Sequence, residues 1–345
     1  MSSEKKLRFG IVGAGVAGSL QAEAIVSLKE AKLVAIAAVS EKRVKKLAEK
    51  YGVTYYTDYK KMLKRKDIDI VSVCTPSGCH SEIAVAAAEA NKHVIVEKPI
   101  ETTLEKANRI INACKNKGVK LSVISQHRFD IGVLKLHRAL EENKFGRLIL
   151  GDAHVKWYRS QKYYDSANWR GTWELDGGGI LINQAIHTID LLQWIMGPVD
   201  SVYANVATLA HKIEVEDVAT ALVKFKNGAL GVIEGSTAIY PGQPEQLGIY
   251  GEKGTVILEG NRIKKWEFMD RKEKFIEERK ISTGASDPNA IGSEAHKAQI
   301  KDIIEAIKED REPAVTGEEG RKVLEIILAI YRSAKTNKPI KLPLS

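Results

Sequence analysis

At 345 residues the chain is too long for one ordinary hydrophobic core and long enough for two. Its 44% hydrophobic and 28% charged content excludes a disordered chain, and no apolar run reaches the roughly 18 residues that a membrane span needs. The net charge of +9 is spread with Lys and Glu interspersed, as in Glu41–Lys50 and Glu267–Lys280; these stretches read as solvated helix faces rather than as a nucleic-acid stripe.

Such a balance favours an anionic cofactor or substrate, with neither nucleic acid nor membrane as a partner. Met1–Leu7 is charged and has no apolar signal core, so a cytoplasmic protein is expected. The three cysteines, Cys74, Cys79 and Cys114, are sparse, odd in number and not spaced for zinc; they are expected to be reduced thiols, with no metal site.

The first third alternates short apolar runs with helical patterns. Strands are expected at Leu7–Val12, Leu33–Val39, Ile68–Cys74, His93–Val96 and Lys120–Ser125, and helices at Ser19–Lys29, Glu41–Tyr51, Ile83–Ala90 and Leu104–Lys117. That alternation means βαβ units and a parallel sheet. After Gln126 the pattern changes. A helix at Gly132–Glu142 precedes a long strand at Leu148–Arg159 and an aromatic loop at Tyr163–Trp173. The turn Asp176–Gly179 leads into one apolar helix, Ile180–Met196, stopped by Gly197-Pro198. Asp217–Phe225 and Ala229–Thr237 form a hairpin about Asn227-Gly228, and Gln246–Tyr250 pairs with Thr255–Glu259 around Gly254. Two helices, Ser293–Glu309 and Gly317–Thr336, close the chain. The fold class is therefore α/β: a parallel Rossmann domain over residues 1–125, then an α+β domain over 126–345 with a large, open, mostly antiparallel sheet.

Gly13-Ala14-Gly15-Val16-Ala17-Gly18 is a G-x-G-x-x-G loop between a strand and a helix, the context a dinucleotide fingerprint requires. Gly13 makes the tight turn, Gly15 lets a pyrophosphate approach the positive N-terminus of the helix that follows, and Gly18 lets helix and strand pack; Val16 and Ala17, in the same loop, are counted with the cofactor-binding residues. The second strand ends in Ala37-Ala38-Val39-Ser40, without the acid that selects NAD. Ser40, with Lys42 and Arg43 behind it, can hold a 2′-phosphate. This tips the expected cofactor, NAD(P), slightly toward NADP, although the two cations also suit a plain solvated helix turn. The next strands end in Cys74-Thr75-Pro76, with His80 following, and in Glu97-Lys98-Pro99, both at the carboxyl ends where open α/β sheets bind ligands.

Taken together these motifs, with Trp169-Arg170, Asp176-Gly177-Gly178-Gly179, and Asn183 to His187 with Asp190, resemble the glucose–fructose oxidoreductase / inositol dehydrogenase family (Gfo/Idh/MocA), over nearly the whole chain. The resemblance implies that Lys98 meets the substrate oxygen beside the nicotinamide, that His187 is its acid–base partner, and that a cis proline falls at Pro99. It implies that Trp169 and Arg170 reach onto the cofactor, that Thr75, Pro76, His80, Glu97 and Gln126 belong to the cofactor site, and that the second sheet joins copies into a homodimer or homotetramer. Asn183 and His187, four apart on the expected helix, share one face. Many family members carry Asp at the position of Asn183. Asn cannot raise the His187 pKa by charge but can orient the ring, and the stretch Trp169–Trp194 looks more like the sugar and nucleotide-sugar dehydrogenase branch. The expected function is hydride transfer between NAD(P) and a secondary alcohol of a sugar, sugar derivative or polyol. The alternatives are an NAD-dependent redox-assisted glycosidase and a non-catalytic dinucleotide sensor.

Overall fold

The computed structural model describes residues 6–260, 262–269, 285–286 and 292–344. The chain forms two compact units. The first takes residues up to Gln126 together with Gly292–Arg321, and the second takes His127–Ile291 and Lys322–Ser345. The first unit thus takes back a segment from late in the chain, whereas the expectation from sequence is one domain from 126 to the end.

In the first unit, strands β1 (Leu7–Val12), β2 (Ala31–Ala37), β3 (Thr54–Tyr56), β4 (Ile70–Val73), β5 (His93–Val96) and β6 (Leu121–Val123) form a parallel sheet in the order β3-β2-β1-β4-β5-β6. β3 is not expected from sequence: three residues are too short for a periodic signal. Buried Phe9, Ile11, Ile36, Ile70 and Ile95 build the core with the helix Val16–Val26. The returning helix Glu294–Lys308 adds Ile300, Ile303 and Ile304 to that core. Its Gln299 also donates to the Val123 carbonyl at 2.8 Å and accepts from the Ser125 N–H at 3.0 Å, so its amide completes the edge of β6.

In the second unit, β7 (Leu148–Lys156), β8 (Val199–Ala207), β9 (Val218–Phe225), β10 (Leu230–Ser236), β11 (Gln246–Gly251), β12 (Gly254–Glu259), β13 (Arg262–Phe268) and β14 (Ile340–Lys341) form one sheet in the order β13-β12-β11-β7-β10-β9-β8-β14. Among the described strands of this sheet, only β7 and β10 pair in parallel; the rest are antiparallel. β9 alternates buried and exposed residues, the signature of a sheet covered on one face. The helix Ile186–Met196 packs on that covered face, where Met196 lies against Gly151. Leu150, Leu222 and Leu230 are exposed on the other. Of the stretch expected as a helix at Glu267–Lys280, Glu267 and Phe268 instead close strand β13, where Ile263 and Trp266 face the interior; 270–280 lies outside the described residues.

The expected helix Ile180–Met196 is broken into Ile180–Asn183 and Ile186–Met196. The Ile180 carbonyl accepts from the N–H of both Gln184 (3.1 Å) and Ala185 (2.8 Å), so the regular i to i−4 ladder is interrupted between them. No helix among the described residues is long and apolar enough to cross a membrane.

Candidate functional site

The nucleotide loop is fixed by close packing. Gly13 has φ of +121°, and a side chain there would lie 2.2 Å from the Cys74 carbonyl oxygen. A side chain at Gly18 would lie 2.1 Å from the Gly13 carbonyl oxygen. Gly15 is different: a Cβ there meets no protein atom within 4 Å. The loop is therefore closed on its protein side and open at Gly15, at the N-terminus of the helix Val16–Val26. Thr75, at the end of β4, has a buried hydroxyl with no hydrogen-bond partner among the described residues. An open cradle beside an orphaned hydroxyl fits a dinucleotide phosphate and ribose.

After β2, Val39 is 96% exposed, Ser40 caps the next helix without a side-chain cap bond, and Lys42 and Arg43 are exposed. The expected 2′-phosphate group of residues is thus presented to solvent, with no acid before Glu41.

Beneath Lys98 lies a buried polar chain that sequence alone does not reveal. The Ser72 hydroxyl donates to Gln21 Oε1, and Gln21 Nε2 donates to Glu97 Oε1 at 2.6 Å. His296 Nε2 approaches the same carboxylate at 3.9 Å, and Glu97 Oε2 accepts from the Lys98 N–H at 3.3 Å. The helix that follows the nucleotide loop and the strand that carries Lys98 therefore share one network. The Lys98–Pro99 peptide is cis.

His80, expected among the cofactor contacts, is 1% exposed. Its ring nitrogens face the Pro99 carbonyl at 2.9 Å and the Thr75 carbonyl at 3.0 Å. Burial pushes its pKa down, against the pull of those carbonyls and of Glu101 and Glu97. The ring ties the Thr75 turn to the Lys98–Pro99 turn, and offers no open nitrogen to a ligand. Gln126 is buried just after β6.

The second unit holds Asn183, His187, Trp169 and Arg170. From Asp176 to Gln193 every residue is buried except Asn183 and His187, both half-buried. They sit on separate helices, and the rest of the stretch, apolar and polar residues alike, is buried. The buried Asp176 carboxylate accepts from the Gly171 N–H at 2.9 Å and from Asn183 Nδ2 at 2.8 Å. Sequence reading treats Asp176 only as part of a turn; the structure makes it the holder of Asn183.

His187 meets the edge of the His127 ring, with centroids 5.0 Å apart. Burial opposes a charge on His127, but its 2.7 Å bond to Asp130 prevails and raises its pKa. Arg128 and Asp190, 4% and 3% exposed, form a bidentate pair at 2.8 and 2.6 Å that pins the helix bearing His187. Arg170 donates to the Tyr163 hydroxyl at 2.5 Å and lies 4.2 Å above the Tyr163 ring and 4.6 Å above that of Trp169.

Residues 7–125 match the family model for an oxidoreductase family with an NAD-binding Rossmann fold, and residues 133–257 match the GFO/IDH/MocA C-terminal domain. The myo-inositol 2-dehydrogenase of Thermotoga maritima is 30% identical, over 97% of this chain and 98% of that protein. The WlbA dehydrogenase of Bordetella pertussis, solved in complex with NADH and UDP-GlcNAcA, is 36% identical with a TM-score of 0.89, over 99% of this chain and 100% of that one. The corresponding protein of Chromobacterium violaceum, in complex with the same two ligands, is 35% identical with a TM-score of 0.88, over 100% of this chain and 98% of that one.

Proposed function

The chain belongs to the GFO/IDH/MocA oxidoreductase family and carries its NAD-binding Rossmann fold; on that premise we propose that it oxidises or reduces a secondary alcohol of an anionic sugar derivative, a nucleotide-linked uronic acid of the kind bound by the WlbA dehydrogenases. The observation that carries the reading is the pair Asn183 and His187, the only half-buried residues in an otherwise buried stretch. The similarity to the two WlbA dehydrogenases and the net charge of +9 support the substrate class.

In this reading the N–H groups of Gly15, Val16 and Ala17 face the pyrophosphate, while Gly13, whose N–H is donated to the Ala37 carbonyl at 2.8 Å, and Gly18 shape the loop. Thr75, Pro76 and Gln126 line the nicotinamide end, with Trp169 and Arg170 closing over the cofactor. Ser40 and Arg43 take a 2′-phosphate, so NADP(H) binds at least as well as NAD(H). When bound, the nicotinamide supplies the hydride acceptor or donor. Lys98 holds the alcohol oxygen, with its backbone N–H held by Glu97. His187 takes the hydroxyl proton in oxidation and returns it in reduction. Asn183, held by Asp176, orients the substrate or the imidazole. His80 acts by fixing the two turns it joins. The exposed leucines of the second sheet, Leu150, Leu222 and Leu230, are where we place the contact between copies in a homodimer or homotetramer.

The test is a panel of UDP-GlcNAcA, neutral nucleotide sugars, glucosides and inositols, with NAD and NADP, read by absorbance of the reduced cofactor. Turnover with the anionic nucleotide sugar, falling about 100- to 10,000-fold in Lys98→Ala while cofactor affinity survives, is the expected result. Turnover with neutral polyols alone refutes the substrate class. Bond cleavage in the sugar without net reduced cofactor is the outcome of a redox-assisted glycosidase.

A further inference from the structure

Glu216 lies just before β9 and is 2% exposed. Its partners are backbone and hydroxyl donors, not cations. Oε2 accepts from the Gly179 N–H at 2.9 Å, and Oε1 accepts from the Leu181 N–H at 3.0 Å and from the Tyr331 hydroxyl at 2.8 Å. Its own carbonyl accepts from the Ile180 N–H at 3.2 Å. The glycines of the turn make this grip possible: a Cβ on Gly179 would fall 1.7 Å from the Glu216 carbonyl oxygen, and one on Gly178 would fall 2.1 Å from the Tyr331 hydroxyl. Three consecutive residues, Gly179 to Leu181, are thus held by Glu216, and Asn183 follows two residues later.

We propose that Glu216 is a positioning residue for the candidate site: its ionised carboxylate, braced by Tyr331, holds the turn that sets Asn183 and, through the break at Gln184–Ala185, the helix of His187. The groups facing the carboxylate are all donors: the N–H groups of Gly179 and Leu181, the Tyr331 hydroxyl and the N–H of Glu216 itself. An ionised Glu216 accepts from all of them; a protonated one must turn its own O–H toward at least one donor and lose that bond. Burial lifts the carboxyl to about 7, against the pull of the Leu181 and Gly179 N–H groups and of Tyr331. Tyr331 itself is pushed well up by burial and by the Glu216 charge, so it stays a donor. The neighbouring charges are already engaged: Asp217 accepts from His211 and from the N–H groups of Leu209, Ala210 and His211, and Asp176 from Gly171 and Asn183. The grip is therefore full in alkali and one bond weaker below neutrality.

The kinetic arm of the test rests on the proposed dehydrogenase activity; the spectroscopic arm does not. The pH dependence of kcat is measured for the wild type, Glu216→Gln and Tyr331→Phe. In parallel, the side-chain amide signal of Asn183 is followed by NMR in protein labelled with 15N-asparagine, assigned with Asn183→Ser. The expected wild-type result is an acid-side fall in kcat and a movement of the Asn183 signal, both with a midpoint near neutrality. Tyr331→Phe removes a donor to the charged form, so both midpoints move upward; a fall in kcat owned by His187 stays where it is. Glu216→Gln abolishes the transition and lowers kcat several-fold at alkaline pH. If the Gln variant does not fold, Tyr331→Phe decides, and if no substrate turns over, the Asn183 signal decides. An Asn183 signal that does not move across neutrality, or midpoints unchanged in Tyr331→Phe, overturns the proposal.

Discussion

Installing Asp at position 183 restores the residue that many family members carry there, and sequence reasoning expects the new carboxylate, one turn from His187, to raise the imidazole pKa. The structure leads elsewhere. Asn183 Nδ2 stands 2.8 Å from Asp176 Oδ1, so Asn183→Asp brings two carboxylates together in a buried setting. Two unit charges at that 2.8 Å separation repel by roughly 6 kcal/mol at an effective dielectric constant near 20. Repulsion of that size makes the pair hold one proton well above the ordinary carboxylate range. The proton bridges the two oxygens, replacing the amide donor that was lost. The charge near His187 is then the same as in the wild type, and the His187 limb of the pH–rate profile stays in place. The assay is that profile, with infrared detection of one protonated carboxyl more than the wild type shows at the same pH. An upward move of the limb by a full unit, with no additional protonated carboxyl, refutes the reasoning and restores the view drawn from spacing alone.

The nucleotide loop predicts a contrast between two glycines. Gly13→Ala combines a φ of +121° with a 2.2 Å collision; strain alone costs about 1–3 kcal/mol, and chemical denaturation should show at least that loss. Gly15→Ala meets no protein atom, so stability is retained while dinucleotide affinity falls, as fluorescence titration of the reduced cofactor will show; unchanged affinity removes Gly15 from the phosphate site. Arg43→Ala should weaken NADP about tenfold or more and leave NAD unchanged in calorimetric titrations, whereas equal losses mean that Arg43 only solvates its helix. Arg128→Met strands the buried Asp190 and should cost about 3–5 kcal/mol, much of it recovered in the double variant with Asp190→Leu; a single-variant loss within error of zero would show that the pair does not pin the helix of His187.

Local chemistry determined a great deal of this protein. The glycine loop, the alternation of apolar runs with helical patterns, and the Asn227-Gly228 hairpin each act within a few residues, where periodicity and backbone freedom are written directly into the sequence. The helices Glu41–Tyr51 and Leu104–Lys117 and the strand His93–Val96 have the expected limits for that reason. Lys98, Asn183 and His187 were singled out by the family resemblance that their motifs carry, and their roles stand as proposals. Tertiary structure decided what depends on partners far along the chain. The segment Gly292–Arg321 returns to the first unit because Ile300, Ile303 and Ile304 complete a core begun by Phe9 and Ile25. The expected helix Ile180–Met196 is broken between Gln184 and Ala185, and the turn before it is gripped by the Glu216 carboxylate, 37 residues from Gly179 and 115 from Tyr331. His80 became a strap because two carbonyls, one five and one nineteen residues away, close on its ring. A buried polar group must be satisfied by whatever the fold brings beside it, and no window of neighbouring residues contains that information.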